Sequence, residues 1–428
     1  MRFLYFYTSK VFFKPALIFI GGMLFLLLSL ISCDSTDSVI PYQGQTFIKL
    51  FGGSGSEEGK DLLALPEGGF VLVGSSTSDS NGGKDVYVVR TDDLGNVIWE
   101  NNYGGADDDV GNSVILGRNG SIYVCGEKTQ DSSSGIGFRD VYVLNIDINN
   151  GSLISEPRTY GENIRDEYGT DIIELSSGNF FITSTWLDPD SSQYYLVEVT
   201  PNLDTIPAKS RYVGTKNVNN YGITSFESES NSEDPLICFG TVQRTVKEQV
   251  SYWFRSFIYN SEKNQLPSEF YGTENNDEFC TGVYRTTDGG FVISGYRNNI
   301  GTNNELIVKI NPNRQEVWRR NYSNEFNRNI KECEIIQTLD GGYLVISTIE
   351  LDDPKNDEIS LLRLNSEGDE FWRKTYGSND DDVGSSVIQL DDGSFIMIGT
   401  IGFEINTESR SKMCLMKLNT EGDLIPIN

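Results

Sequence analysis

Paired carboxylates are the residues of this chain whose type and spacing could do chemistry. They fall at Asp108-Asp109, Asp166-Glu167, Asp277-Glu278 and Asp381-Asp382, each just ahead of a strand-like run; Glu57, Asn219-Asn220 and Asn329 hold the same place elsewhere. Such acids could bind a cation, calcium being the candidate ion, or form an electronegative funnel for basic ligands. The competing role is structural: each Asp or Asn caps a tight turn by accepting bonds from nearby backbone N–H groups and stitches neighbouring units together. Recurrence in most copies favours the structural role, because one ligand site needs only one or two copies. The runs Asp107-Asp108-Asp109 and Asp380-Asp381-Asp382 lack the alternating spacing and distal Glu of an EF-hand loop. The sequence points to no other cofactor.

The rest of the catalytic repertoire is thin. The chain has no histidine, which removes His-ligated metals, Ser-His-Asp and Cys-His catalysis, and imidazole acid–base chemistry. A hydrolytic mechanism would have to use carboxylates, Tyr, Lys or an oxygen-ligated metal. Paired acids for glycoside hydrolysis cannot be singled out among 62 Asp and Glu, since the test is spatial separation. No P-loop, dinucleotide fingerprint or G-x-S-x-G elbow is present. With 34 basic residues against those acids the formal charge is −28. That repels phosphate backbones and argues against nucleic-acid binding.

The elements that must position these acids are strands in a long repeat. An aromatic residue followed by glycine or a close substitute recurs at Phe51, Tyr103, Tyr160, Tyr212, Tyr271, Tyr322 and Tyr376, at intervals of 51 to 59 residues. Periods of this length mark propellers, solenoids or arrays. Each period carries four strand-like runs, in the first copy Asp61–Leu65, Phe70–Val73, Asp85–Arg90 and Asn96–Trp99. Asp-Gly and Asn-Gly turns between them supply the positive φ that tight hairpins need. No stretch has a sustained helical period. Four antiparallel strands per repeat describe a propeller blade, so the sequence predicts an all-β, seven-bladed β-propeller of four-stranded antiparallel blades. In that frame the paired acids lead from an outer strand to the next innermost strand and would ring the channel mouth. Thr46–Leu50, with Phe47 in the place of Trp99, Trp318 and Trp372, and the terminal Asp423–Asn428 both fit the outer-strand slot of the last blade.

Ahead of the repeats lies an address. Arg2, Lys10 and Lys14 precede the apolar run 15–31, which ends at Leu30-Ile31-Ser32-Cys33 and gives way to polar Asp34–Ser38. This ending resembles a bacterial lipobox, which implies that Cys33 is lipidated and becomes the mature N-terminus. An uncleaved membrane anchor is the other reading. The domain organisation expected is a signal peptide over 1–32, a lipidated cysteine and flexible tether over 33–44, and the propeller over 45–428. The remaining cysteines, Cys125, Cys238, Cys280, Cys333 and Cys414, are odd in number and sit in strand-like runs. They read as small buried apolar residues.

Two stretches carry a family likeness. Tyr103-Gly-Gly-Ala-Asp-Asp-Asp-Val-Gly-Asn-Ser-Val with Asn119–Gly126, and Tyr376-Gly-Ser-Asn-Asp-Asp-Asp-Val-Gly-Ser-Ser-Val with Asp392–Gly399, resemble the bacterial β-propeller repeat family called SBBP. The likeness spans all seven repeats and is thin in the fourth. It implies an extracytoplasmic propeller and brings no shared catalytic motif.

The function expected is that of a membrane-anchored, non-enzymatic scaffold at the bacterial cell envelope, binding protein or glycan partners. Its expected site is the outer membrane, on the periplasmic or exposed face. The alternatives are a carboxylate-based propeller hydrolase or lyase, and an outer-membrane assembly factor. Three further features are weighed toward packing. Arg90, Lys309, Arg363 and Lys417 end third strands and could pair with the acidic segments. Trp99, Trp318 and Trp372 suit contacts between blades better than a carbohydrate platform. Repeat four replaces its glycine turn with the polar run between Phe226 and Pro235, a tolerated insertion or a partner-contacting loop.

Overall fold

The computed structural model describes residues 45–424 apart from 131–137, 163, 229–235, 261–266, 300, 324–328 and 351–355. The predicted signal peptide, Cys33, the tether and all but Glu227 and Ser228 of the polar run of repeat four lie outside the described residues.

Among the described residues, twenty-eight strands form seven antiparallel four-stranded sheets. The first blade runs from its innermost to its outermost strand as β2 (Glu57–Ala64), β3 (Phe70–Ser76), β4 (Asp85–Thr91) and β5 (Val97–Tyr103). The next five blades repeat that order, with innermost strands β6 (Asp109–Leu116), β10 (Asp166–Glu174), β14 (Asn220–Glu227), β18 (Asp277–Arg285) and β22 (Ile330–Gln337). The last blade consists of β26 (Asp382–Gln389), β27 (Phe395–Ile405), β28 (Glu408–Leu418) and, outermost, β1 (Phe47–Phe51). The N-terminal segment therefore closes the ring, pairing Phe47 with Lys417 through Phe51 with Met413.

The ring is held by its seams. There are seven clusters of buried apolar side chains, each drawn from two adjacent blades; Val73, Val88 and Val124, Leu144 meet between the first two. One blade cannot shelter both of its faces, so each fully buried Leu, Ile, Val or Phe adds its ~1.5–3 kcal/mol only when the neighbour is in place. The five cysteines of the propeller are free and buried within these layers. Burial pushes the Cys238 and Cys333 thiols up to about 12, so they are inert packing groups.

The recurring aromatic is a latch. Tyr103, Tyr160, Tyr271, Tyr322 and Tyr376 each donate their hydroxyl hydrogen to a turn carbonyl of the following blade: Gly151, Leu203, Arg314, Gly368 and Gly422, at 2.5–2.8 Å. Trp99 donates to the Ile148 carbonyl of the next blade at 2.9 Å, and Trp318 and Trp372 lie against Gly368 and Gly422 of theirs. The third-strand cations pair elsewhere than with the acidic pairs. Lys309, Arg363 and Lys417 reach the turn aspartates Asp288, Asp340 and Asp392 of their own blades. Arg90 donates to the Ile148 carbonyl.

Candidate functional site

The paired acids sit at the seams, and none of the eight lines the central channel. The first member of each pair accepts a backbone N–H where the third strand of the preceding blade begins. These bonds run from Lys84 to Asp108, Arg139 to Asp166, Tyr252 to Asp277 and Asp357 to Asp381, at 2.8–3.3 Å. The second members, Asp109, Glu167, Glu278 and Asp382, are wholly buried. Asp109 is bonded by Lys128 at 2.8 Å and Glu278 by Arg297 and Arg319, both at 2.7 Å. Asp382 accepts from the Gly402 N–H at 2.9 Å. The eight acids thus serve as contacts at the seams and lie outside the lining of the cavity. The first members are taken up by N–H groups at blade starts, one seam at a time, and the second members are bonded inside the seams, with Glu167 Oε2 left without a partner. Among the described residues no three acidic or cysteine side chains converge as ligands of one metal ion.

The channel itself is built by a bulge. In each innermost strand the pairing slips, after the third or fourth residue in six blades, as between Gly59 and Asp61, Gly111 and Ser113, and Gly169 and Asp171, and between Ile330 and Cys333 in the sixth blade. A bulge re-aims side chains, and here it turns Lys60, Asn112, Thr170, Ile223, Thr281 and Ser385 to the axis. The cavity they enclose has a volume of about 640 Å³.

The position after the bulge differs from blade to blade. Judged by its partner on the second strand, it is Asp61, Ser113, Asp171, Thr224, Gly282, Glu334 and Ser386 in turn. All but Ser386 line the cavity. The three carboxyl groups and the hydroxyls form a girdle across blades. Ser113 donates to Asp171 at 3.0 Å, Thr224 bonds the same carboxylate, and the Val114 N–H donates to Asp61 at 2.9 Å. Ser386 lies in hydrogen-bonding contact with both Asp61 and Glu334, while Glu334 Oε2 is buried with no partner in the protein.

Burial dominates the electrostatics of the girdle. It raises Asp61 to about 6 against the bonds from Val114 and Leu62, with the Asp171 charge adding to the rise. Burial, and then the Asp61 charge, raise Glu334 to about 8; Asp171 is raised by burial as well. Burial therefore favours the neutral form of both acids, and the Asp61 charge presses further on Glu334. The girdle thus presents donors as well as acceptors to the channel.

No family model matches the chain, and the search of curated proteins finds no relative. Solved structures of similar shape include a protein of unknown function from Dyadobacter fermentans DSM 18053, with 12% identity over 86% of this chain and 97% of that one and a TM-score of 0.47. An α-L-arabinanase from Penicillium chrysogenum complexed with arabinobiose shares 9% identity over 72% and 92% of the two chains, at a TM-score of 0.44. An endo-arabinase from Bacteroides thetaiotaomicron VPI-5482 shares 14% over 60% and 95%, at 0.36.

Sequence reasoning missed Asp61, Asp171 and Glu334. The signal was available: aligning the repeats on the residue before the bulge isolates one column that changes from acid to hydroxyl to glycine. Blade six hides it, because its bulge spans Ile330 to Cys333 and carries no glycine.

Proposed function

We propose that the chain is a ligand-binding propeller of the bacterial cell envelope, held at the membrane by acylation of Cys33, and that its central channel takes a hydroxyl-rich ligand such as a glycan end. The observation that carries this reading is the unpartnered Glu334 Oε2 on the wall of the channel cavity. A buried polar oxygen calls for a partner, and a protonated Glu334 beside ionised Asp61 offers a donor and an acceptor side by side. Sugar hydroxyls need both at once; a free cation would need neither proton. Tyr168 and Phe226 add apolar surface to the wall, as sites for small polar ligands commonly have.

Binding of envelope oligosaccharides to the full chain in detergent, followed by calorimetry, tests the channel. Glu334→Ala should abolish the heat of binding while the melting curve stays cooperative. A wild-type chain that binds no oligosaccharide refutes the reading. Labelling of growing cells with an alkynyl fatty acid tests the anchor, and Cys33→Ala should lose the label.

A second reading, a carboxylate-based glycoside hydrolase, is favoured by one feature: Asp61 and Glu334 are two buried acids of one cavity, both raised by burial and the second pressed further by the charge of the first, as an acid and a base of one reaction need. Release of reducing ends from the bound oligosaccharide, lost in Glu334→Gln, separates catalysis from binding.

A further inference from the structure

The fourth blade inverts the charge of its seam. The position held by wholly buried Glu57, Asp109, Glu167, Glu278 and Asp382 in five blades is Asn220 here. Against it lies Arg255, whose guanidinium donates to Asn220 Oδ1 at 3.2 Å and to Ser268 Oγ at 3.1 Å, with its buried Nε unpartnered. Arg244 lies beside it, over the ring of Phe270 at 3.9 Å and that of Trp253 at 5.0 Å. Among the described residues the Arg244 guanidinium forms no ion pair and no hydrogen bond; aromatic faces alone hold it.

These two cations and a third, Arg211, line a cavity of about 470 Å³ with Asn220, Gln243, Thr245 and Phe270, and it shares no lining residue with the channel. No carboxylate lines it. Burial, and then the Arg255 charge, hold the Arg244 guanidinium below its ordinary value, which fits like charges facing one space without a counterion. Gathering two guanidiniums without an acid costs free energy. An anion seated between them would return it through charge-assisted bonds.

The geometry points to a second binding site here, specific for a carboxylate carried on a sugar ring: an acidic saccharide unit of the uronic-acid class. The planar guanidinium fork matches a carboxylate bidentately. Phe270, 39% exposed, offers a flat apolar face to the C–H side of a pyranose ring, and Gln243 and Thr245 can bond its hydroxyls. The net charge of −28 repels polyanions at long range, so the site suits a ligand that brings one charge.

Calorimetric titration of the full-length chain with D-glucuronate, its neutral methyl ester and inorganic phosphate tests the site. Glucuronate should bind, the methyl ester should bind at least about tenfold more weakly, and phosphate should not compete. Arg244→Ala should remove binding. Asn220→Asp, nearly isosteric, restores the acid of the other blades and should weaken binding about tenfold or more by neutralising Arg255. The titrations are run in the Glu334→Ala background, which removes the channel site proposed above, so that the heat read is that of the Arg244–Arg255 cavity alone. The proposal is overturned if glucuronate does not bind, if ester or phosphate binds as well, or if both cavity variants bind like wild type.

Discussion

Glu57 of the first blade and Lys412 of the last form an ion pair across the seam where the ring closes, and the carboxylate is wholly buried. The same seam carries a bond from the Gly59 N–H to Thr400 at 3.1 Å and one from Ser385 to the Gly59 carbonyl at 2.7 Å. Closure therefore rests on polar contacts as well as on the β1–β28 pairing. Removing the ammonium leaves a buried acid without its cation. Lys412→Met should lower unfolding stability in urea by about 3 kcal/mol. Lys374→Met, which breaks the more exposed pair with Asp423, should cost under about 1 kcal/mol. Equal costs would show that the closing pair has no special weight.

The tyrosine latch predicts a graded loss. Tyr376 donates to the Gly422 carbonyl from a buried ring, and Tyr376→Phe keeps the ring while stranding that carbonyl. The expected cost is about 1–3 kcal/mol in urea unfolding. Phe51 holds the same repeat position with no hydroxyl, so Phe51→Leu should affect packing alone.

How much of this was legible in the residues differs by element. The Tyr-Gly period and the Asp-Gly turns report local backbone needs, and seven blades follow from counting them. The clasp was ambiguous because Phe47 and Leu424 are both apolar residues beside a strand slot. Pairing with β28 decides for Phe47, and Leu424 packs against the cluster between the last two blades. The girdle was hidden because a bulge breaks the alternation that tells inward from outward side chains. The Arg244–Arg255 cavity was hidden because the repeat is weakest in blade four, where the departure from pattern is itself the site.

Buried carboxyls give the stability a pH slope. Burial raises Glu167 and Glu334 to about 8, Asp382 to about 7 and Asp61 to about 6. The folded chain keeps protons that the unfolded chain has already released, so stability is fully present below the ordinary carboxyl range and is lost as pH rises through these values. Asp288 runs the other way. Its burial is outweighed by bonds from Thr286, Lys309 and Gly290, which hold it at about 2; that contribution is present at neutral pH and lost as pH falls below its ordinary value of 3.8. The urea midpoint should peak near about pH 5 and decline toward pH 9. Glu167→Gln should flatten the decline. A midpoint that rises between pH 5 and pH 9 would contradict this assignment.

The glycine after the repeat tyrosine has a steric task at the seams. A Cβ on Gly161 would lie 2.5 Å from Asp140 Oδ1 and 2.6 Å from Glu167 Oε2, and both acids are buried too deeply to swing aside. Glycine is required there because two carboxyl groups converge on the space a methyl would fill, and backbone conformation plays no part. Gly161→Ala should cost about 1–3 kcal/mol. In a Glu167→Ala background one of the two obstructing groups is gone, so the same substitution should cost less, and a double-mutant cycle should return a coupling of about 0.5 kcal/mol or more. Additive costs would mean that the glycine serves the turn rather than the acids, and the Tyr-Gly signature would then need another origin.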